Sequence, residues 1–310
     1  MDLKGCLLID KPAGPTSFQT VDQLRKILGA AKAGHMGTLD PIATGLLLTC
    51  LGKATKLAQF LLGWDKEYVT LIKLGTSTDT WDREGNVLET NDVSGISAQQ
   101  LNRTVTELTG DVTLLAPEYS ALKYQGKSLH VYARAGQKVP RPIKRVQIHG
   151  AEILEFEAPF ITVKISCSKG TYVRSFAFEL GQKLECGAAV WELRRTKLGP
   201  YTIENALTLE RVQELVRNNE IEKYLISPPE ALAHLPRVVL RPEGYDKVRH
   251  GIAFKSCDIL EHDTFQKDRW VRILDADKQL LAVGRSLCCS ETILALSEKV
   301  LFKYERVLVN

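Results

Sequence analysis

Gly34-His35-Met36-Gly37-Thr38-Leu39-Asp40-Pro41 packs two glycines, a histidine and a carboxylate into eight residues. Glycine tolerates positive φ and close backbone approach. Pro41 forces Asp40 out of the helical region and has no backbone N–H to donate. The segment therefore reads as a stiff loop that presents one imidazole and one carboxylate. Asp40 is the foremost nucleophile candidate in the chain. Taken alone, an aspartate before a proline is more often a turn residue, so the rest of the sequence must decide.

Outward from that loop, strand and helix signals mix. Residues 5–10 read as a short strand stopped at Lys11-Pro12. Thr16 or Ser17 can cap a helix with Phe18, Val21, Leu24, Ile27 and Leu28 on one face, closed by Gly29. Residues 45–51 suit a buried strand and 53–62 a helix ended by Gly63. Residues 67–74 alternate as a strand, with Tyr68, Thr70, Ile72 and Leu74 on one face. Helices are expected over 98–108 and 171–184, the latter burying Val173, Phe176, Ala177 and Leu180, and a strand over 160–167. Without strict βαβ alternation this predicts an α+β fold with a largely antiparallel sheet. Pro228, Pro229 and Pro236 mark a joint. Beyond it, 270–274 and 279–283 flank Asp275-Ala276-Asp277-Lys278 as a hairpin of a compact β module.

A length of 310 residues suits one large domain, 1–230, and a small one, 231–310. The net charge of +4 is too small to declare a polyanion partner by itself. Seven cysteines without Cys-x-x-Cys or metal-type His spacing point to reduced thiols and a cytoplasmic protein. No secretory signal is visible, and no apolar run approaches the ~18 residues of a membrane helix. Neither metal nor cofactor is expected; Asp79, Asp82 and Glu84 lack calcium-loop spacing. Gly45 to Gly52-Lys53 is too widely spaced for a phosphate loop, and Ala54 stands where Ser or Thr is required.

The charge is unevenly distributed. From Tyr119 to Ala151 there is no Asp or Glu, while Lys123, Lys127, Arg134, Lys138, Arg141, Lys144 and Arg145 interleave with Tyr119, Tyr124 and Tyr132. Cations neutralise phosphates and aromatic rings stack on unpaired bases. Ordinary surfaces mix both signs, so this run favours a nucleic-acid partner over a solvated face. Leu193-Arg194-Arg195-Thr196-Lys197 is a second basic cluster, readable equally as a helix C-terminus or a phosphate contact. Lys11 either touches RNA or anchors the first loop.

Gly34-His35, Gly37 through Pro41 and Ala43-Thr44-Gly45 together resemble the catalytic motif of the TruB family of tRNA pseudouridine synthases. Four more stretches resemble that family in order: Asp10-Lys11-Pro12 with Gly14, Lys66-Glu67-Tyr68, Cys167 through Arg174, and Leu193-Arg194-Arg195. The resemblance implies a pseudouridine synthase fold with a small C-terminal β-barrel-like PUA module. It implies a cofactor-free isomerase that flips a T-loop uridine, position 55, out of tRNA and attacks it with Asp40. Arg174 would be the partner of Asp40, and Tyr68 would stack on the uracil. His35 would fill the vacated place, with Tyr172 and Leu193 lining the pocket and Asp79 helping to order it. The basic stretch would grip the tRNA T-arm. His130 and Tyr201 stand where the family usually has Tyr and Phe. The chain begins almost at its first motif, which favours the stand-alone type: a monomer with no obligatory protein partner and no membrane. A non-catalytic RNA-folding factor and the guide-RNA-dependent class are the competing readings.

Overall fold

Alternation of apolar residues builds the middle of the sheet. In the computed structural model, which describes residues 4–296 and 299–309, the strand Lys66–Leu74 buries Tyr68, Thr70, Ile72 and Leu74, as a period of two requires. The order across the sheet is Gly5–Lys11, Thr44–Leu51, Ala188–Leu198, Lys66–Leu74, Phe160–Cys167, Ile143–Glu157 and Gly110–Leu115. Neighbours are antiparallel except Thr44–Leu51 with Ala188–Leu198, which run parallel where Arg194 faces Thr44 and Arg195 faces Gly45. A short strand, Ala33–Met36, also pairs with Thr44–Leu51. The expected α+β class, with a mostly antiparallel mixed sheet, is what forms.

Helices Ala98–Glu107 and Val173–Lys183 close over one core through Leu101, Val105, Phe176 and Leu180 against Ile72, Val163 and Ile165. Helix Ser17–Leu28 packs with Leu209–Arg217 over Leu7 and Ile9. Thr16 caps the first of these in a capping box with Gln19, and Gly29 ends it at φ 59°. Its buried stripe is Ser17, Val21, Leu24 and Leu28. Phe18, expected in the core, lies one residue around from that stripe and is 74% exposed. Residues 53–62 are not one helix: a 3-10 segment Gly52–Leu57 leads into a single turn, Ala58–Leu61. The Leu193–Lys197 cluster lies within the strand Ala188–Leu198, so its reading as a helix end is overturned.

The C-terminal strands form a separate sheet in the order Ile259–His262, Arg237–Leu240, Trp270–Leu274, Leu280–Ser286 and Phe302–Val307. The expected hairpin turn is present, with Asp275 Oδ1 accepting the Gln279 N–H at 2.8 Å. This sheet shares a core with the large one. Trp270 packs edge-on to Phe60 with centroids 4.9 Å apart, and Leu48, Leu57 and Leu61 cluster with Leu232, Val239 and Leu274.

At the parallel contact only glycine fits. Gly45 has φ +99°, and a Cβ there would lie 2.3 Å from the Arg195 carbonyl oxygen. Gly45→Ala is expected to lower stability by about 3 kcal/mol or more, since strain and a backbone clash coincide. Urea unfolding midpoints check this; an unchanged midpoint would mean that the contact yields freely.

Candidate active site

The Asp40 loop joins Ala33–Met36 to Thr44–Leu51. Asp40-Pro41-Ile42-Ala43 is a tight turn in which the Ala43 N–H donates to the Asp40 carbonyl at 3.0 Å; Pro41 suits its second position. The Ser17 hydroxyl accepts the Leu39 N–H at 2.8 Å and donates to the Leu39 carbonyl at 3.0 Å. The Gly14 N–H reaches the Pro41 carbonyl at 2.9 Å.

Two buried cations hold the loop from beneath. Lys11 Nζ donates to the carbonyls of Pro12, Pro41 and Ala43 at 2.9, 3.2 and 2.7 Å. Arg195 donates from Nε to the Leu46 carbonyl at 2.7 Å and from Nη2 to that of Gly37 at 3.2 Å. Both residues are 0% exposed. Of the two readings of Lys11 the loop anchor is the one that forms, and the phosphate contact expected of Arg195 is corrected: their strands turn these side chains inward, where loop carbonyls need donors. Burial pushes the Lys11 ammonium down to about 8, with the Asp40 and Glu84 carboxylates pulling the other way. Arg194, one residue earlier on its strand, reaches Asp10 with two hydrogen bonds of 3.1 and 2.7 Å and stays half-exposed.

Arg174 stands in the first turn of the helix Val173–Lys183. Its Nη2 lies 2.9 Å from Asp40 Oδ2 and donates to the Tyr119 carbonyl at 3.0 Å. Its Nη1 donates to the Thr80 carbonyl at 3.0 Å and lies 3.6 Å from Asp82 Oδ2. The Arg174 side chain is 4% exposed and that of Asp40 31%, so the carboxylate opens to solvent while its partner forms the wall. Asp82 is the residue that sequence reasoning missed. Its Oδ1 accepts from Thr80 Oγ1 at 2.6 Å and the Glu84 N–H at 3.1 Å. It stands three residues beyond Asp79, the aspartate expected to order the pocket. Asp79 accepts from the Asn86 backbone and side-chain amides at 2.9 and 3.0 Å and closes its own loop.

Tyr68 is buried, and burial raises its phenol pKa against the pull of the Arg195 guanidinium. Burial also raises that of Tyr172. The Asp40 carboxylate acts on both phenols in the same direction. His35 is half-buried; burial, then the Arg195 charge, lowers its pKa from 6.5, so the ring is neutral at neutral pH. Its Nδ1 is buried without a hydrogen-bond partner among the described residues. Leu193 packs in the core cluster that holds Tyr68 and Val173.

The basic stretch forms a small hairpin, Lys123–Tyr124 with Lys127–Ser128, and the helix Leu129–Arg134. Lys123, Lys127, Arg134, Lys144 and Arg145 are exposed, whereas Arg141 is half-buried. Arg145 lies 3.4 Å from Asp111.

The family model described as TruB family pseudouridylate synthase (N terminal domain) matches residues 25–173, and that of the tRNA pseudouridylate synthase B C-terminal domain matches 174–239. The chain belongs to the TruB family. A tRNA pseudouridine synthase B of Vibrio atlanticus is 42% identical to this TruB-family chain over 259 residues, 81% of each protein. That of Burkholderia mallei is 40% identical over 294 residues, 94% of this chain and 95% of the relative. Among solved structures, the archaeal box H/ACA sRNP Nop10–Cbf5 complex contains a chain that superposes with TM-score 0.76 at 25% identity, covering 99% of this chain and 87% of that one. An H/ACA RNP bound to a substrate RNA containing 2′-deoxyuridine gives TM-score 0.77 at 26% identity, covering 99% and 85%. The TruB-family fold implied by the resemblance is the one observed, and the C-terminal sheet is consistent with a PUA-like module.

Lys11→Met removes the donor of three loop carbonyls and is expected to lower stability by about 2–4 kcal/mol. The folded pKa of Lys11, about 8, lies below its usual 10.5. The penalty of burying the charge is thus full below that value and fades as pH rises through this window. The stability gap between wild type and variant should therefore widen between about pH 7 and about pH 10. Urea unfolding at both pH values measures the gap; a constant or shrinking gap would refute the assignment.

Proposed function

We propose that this chain isomerises uridine to pseudouridine in the T-loop of tRNA, at position 55, with Asp40 as the nucleophile. The observation that carries the reading is the Asp40–Arg174 pair, 2.9 Å apart, with the carboxylate open and the guanidinium walled in. The relatives named tRNA pseudouridine synthase B support the substrate.

The reaction breaks the C1′–N1 bond, turns the uracil and joins C5 to C1′. The C5 proton leaves, and N1, freed of the sugar, gains a proton in its place. A carboxylate that attacks either C6 or C1′ forms a bond that it later breaks, so Asp40 is regenerated. The Arg174 fork holds that carboxylate in one orientation and balances its charge. Flipping the base costs a few kcal/mol; a neutral His35 ring is suited to fill the gap. Tyr68 offers an aromatic face for the uracil, and Tyr172 and Leu193 border the same space.

Lys123, Lys127, Arg134, Lys144 and Arg145 present their charge outward in the stretch we assign to the T-arm. In this reading residues 1–230 carry the chemistry and 231–310 add RNA contact. The protein would act as a cytoplasmic monomer that needs no partner protein. Among the described residues no helix is long and apolar enough to cross a membrane.

Asp40→Asn keeps the shape and removes the nucleophile. Turnover of an unmodified T-arm stem-loop should fall by about 10³-fold or more while its Kd stays within about threefold. Retained turnover would make Asp40 a turn residue only. Arg174→Lys should lower kcat by about 10²-fold, because one ammonium cannot reproduce the planar fork. Pseudouridine mapping at single-nucleotide resolution reads both variants, and a near-normal rate would take Arg174 out of the mechanism.

A further inference from the structure

Trp81 has no role in the site as described so far, yet it is bound into it on every side. Its backbone has φ +63°, a region that bulky side chains rarely adopt and that persists where neighbours over-determine it. The indole is 7% exposed. One face stacks on Phe178, with centroids 4.1 Å apart and planes at 14°. The Arg141 guanidinium carbon sits over the ring, 5.2 Å from its centroid.

These contacts close a ring around Arg174. Phe178 follows Arg174 by one helical turn, so both project from the same side of the helix Val173–Lys183. The residues flanking Trp81 are the ones that grip Arg174: Thr80 by its carbonyl and Asp82 by its carboxylate. The Trp81 carbonyl accepts the Val190 N–H at 3.0 Å, which clips the loop to the central sheet. Arg141 belongs to the basic stretch and also lies 3.8 Å from Glu118. The next residue, Tyr119, supplies the remaining carbonyl on Arg174.

We propose that Trp81 is a positioning residue for the Arg174–Asp40 pair, and that Arg141, stacked on it, is the clasp that seats the basic stretch against the active site. The proposal rests on the reading of Asp40 as nucleophile. It reassigns Arg141: its guanidinium is committed to Trp81 and Glu118 rather than to a phosphate. Without the indole, Thr80 and Asp82 lose the anchor that aims them, and Arg174 no longer holds one geometry.

The test compares wild type, Trp81→Ala, Trp81→Phe and Arg141→Met on an unmodified T-arm stem-loop, with thermal unfolding recorded for each. Trp81→Ala should lower kcat by about 10- to 100-fold with Kd within about twofold, since displaced catalytic groups slow chemistry without loosening the grip. Trp81→Phe, which keeps an aromatic face for the stack, should restore most of the rate. Arg141→Met should lower kcat several-fold and leave the slope of log Kd against log salt unchanged; loss of a phosphate contact would reduce that slope by about one. A folded Trp81→Ala with normal kcat would overturn the proposal, as would a reduced salt slope in Arg141→Met. Should Trp81→Ala lose its fold, Arg141→Met decides by the same two readouts. Wild type without turnover would strike the nucleophile reading; wild type, Trp81→Ala and Arg141→Met turning over alike would strike the positioning role alone.

Discussion

One buried guanidinium organises the site. Arg174 meets the Asp40 loop, the 80–82 loop and the segment leading into the basic stretch, and it does so from a helix packed on the central sheet. A lysine at this place could point one charge at one neighbour. The planar fork sets several directions at once, so the segments that meet there are fixed relative to one another as well as to the helix. Two carboxylates and two carbonyls offset the desolvation of a side chain that is 4% exposed.

The same economy recurs under the Asp40 loop. A tight loop beside an active site leaves carbonyls facing inward, and water is excluded there. Lys11 and Arg195 supply donors from the strand ends below. Two positive charges thus sit beneath a loop that presents a carboxylate. Burial first, and then the Arg195 charge, lowers the His35 pKa, and Arg195 opposes the burial-driven rise of the Tyr68 phenol. The electrostatics of the pocket and the rigidity of the loop come from the same side chains.

Much of this was legible in the sequence, and the failures have physical causes. Strand Lys66–Leu74 followed from its period of two, and the helix beginning at Ser17 from its cap and its closing glycine. Asp40 with Arg174 followed from the motif set. The sequence leaves Lys11 between two roles and misplaces Arg195 because charge suggests solvent unless partners are known, and their partners are backbone carbonyls that carry no sequence signal. Asp82 was passed over for Asp79 because two aspartates three apart in one loop look alike until the chain turn is known. Phe18 was misplaced by one residue of helical phase, and Trp81 gave no hint, since its neighbours lie far away in sequence.

The shared apolar seam around Phe60 and Trp270 bears on how the C-terminal sheet is studied. Because Leu232, Val239 and Leu274 complete a core begun by Leu48, Leu57 and Leu61, a chain cut near the proline joint would bare a greasy face on each fragment. Such fragments should stick to one another or to themselves. Weak RNA binding by a truncated protein would then report a damaged wall as readily as an absent recognition module. Point changes on the outer strands of the C-terminal sheet probe its contribution without opening that seam.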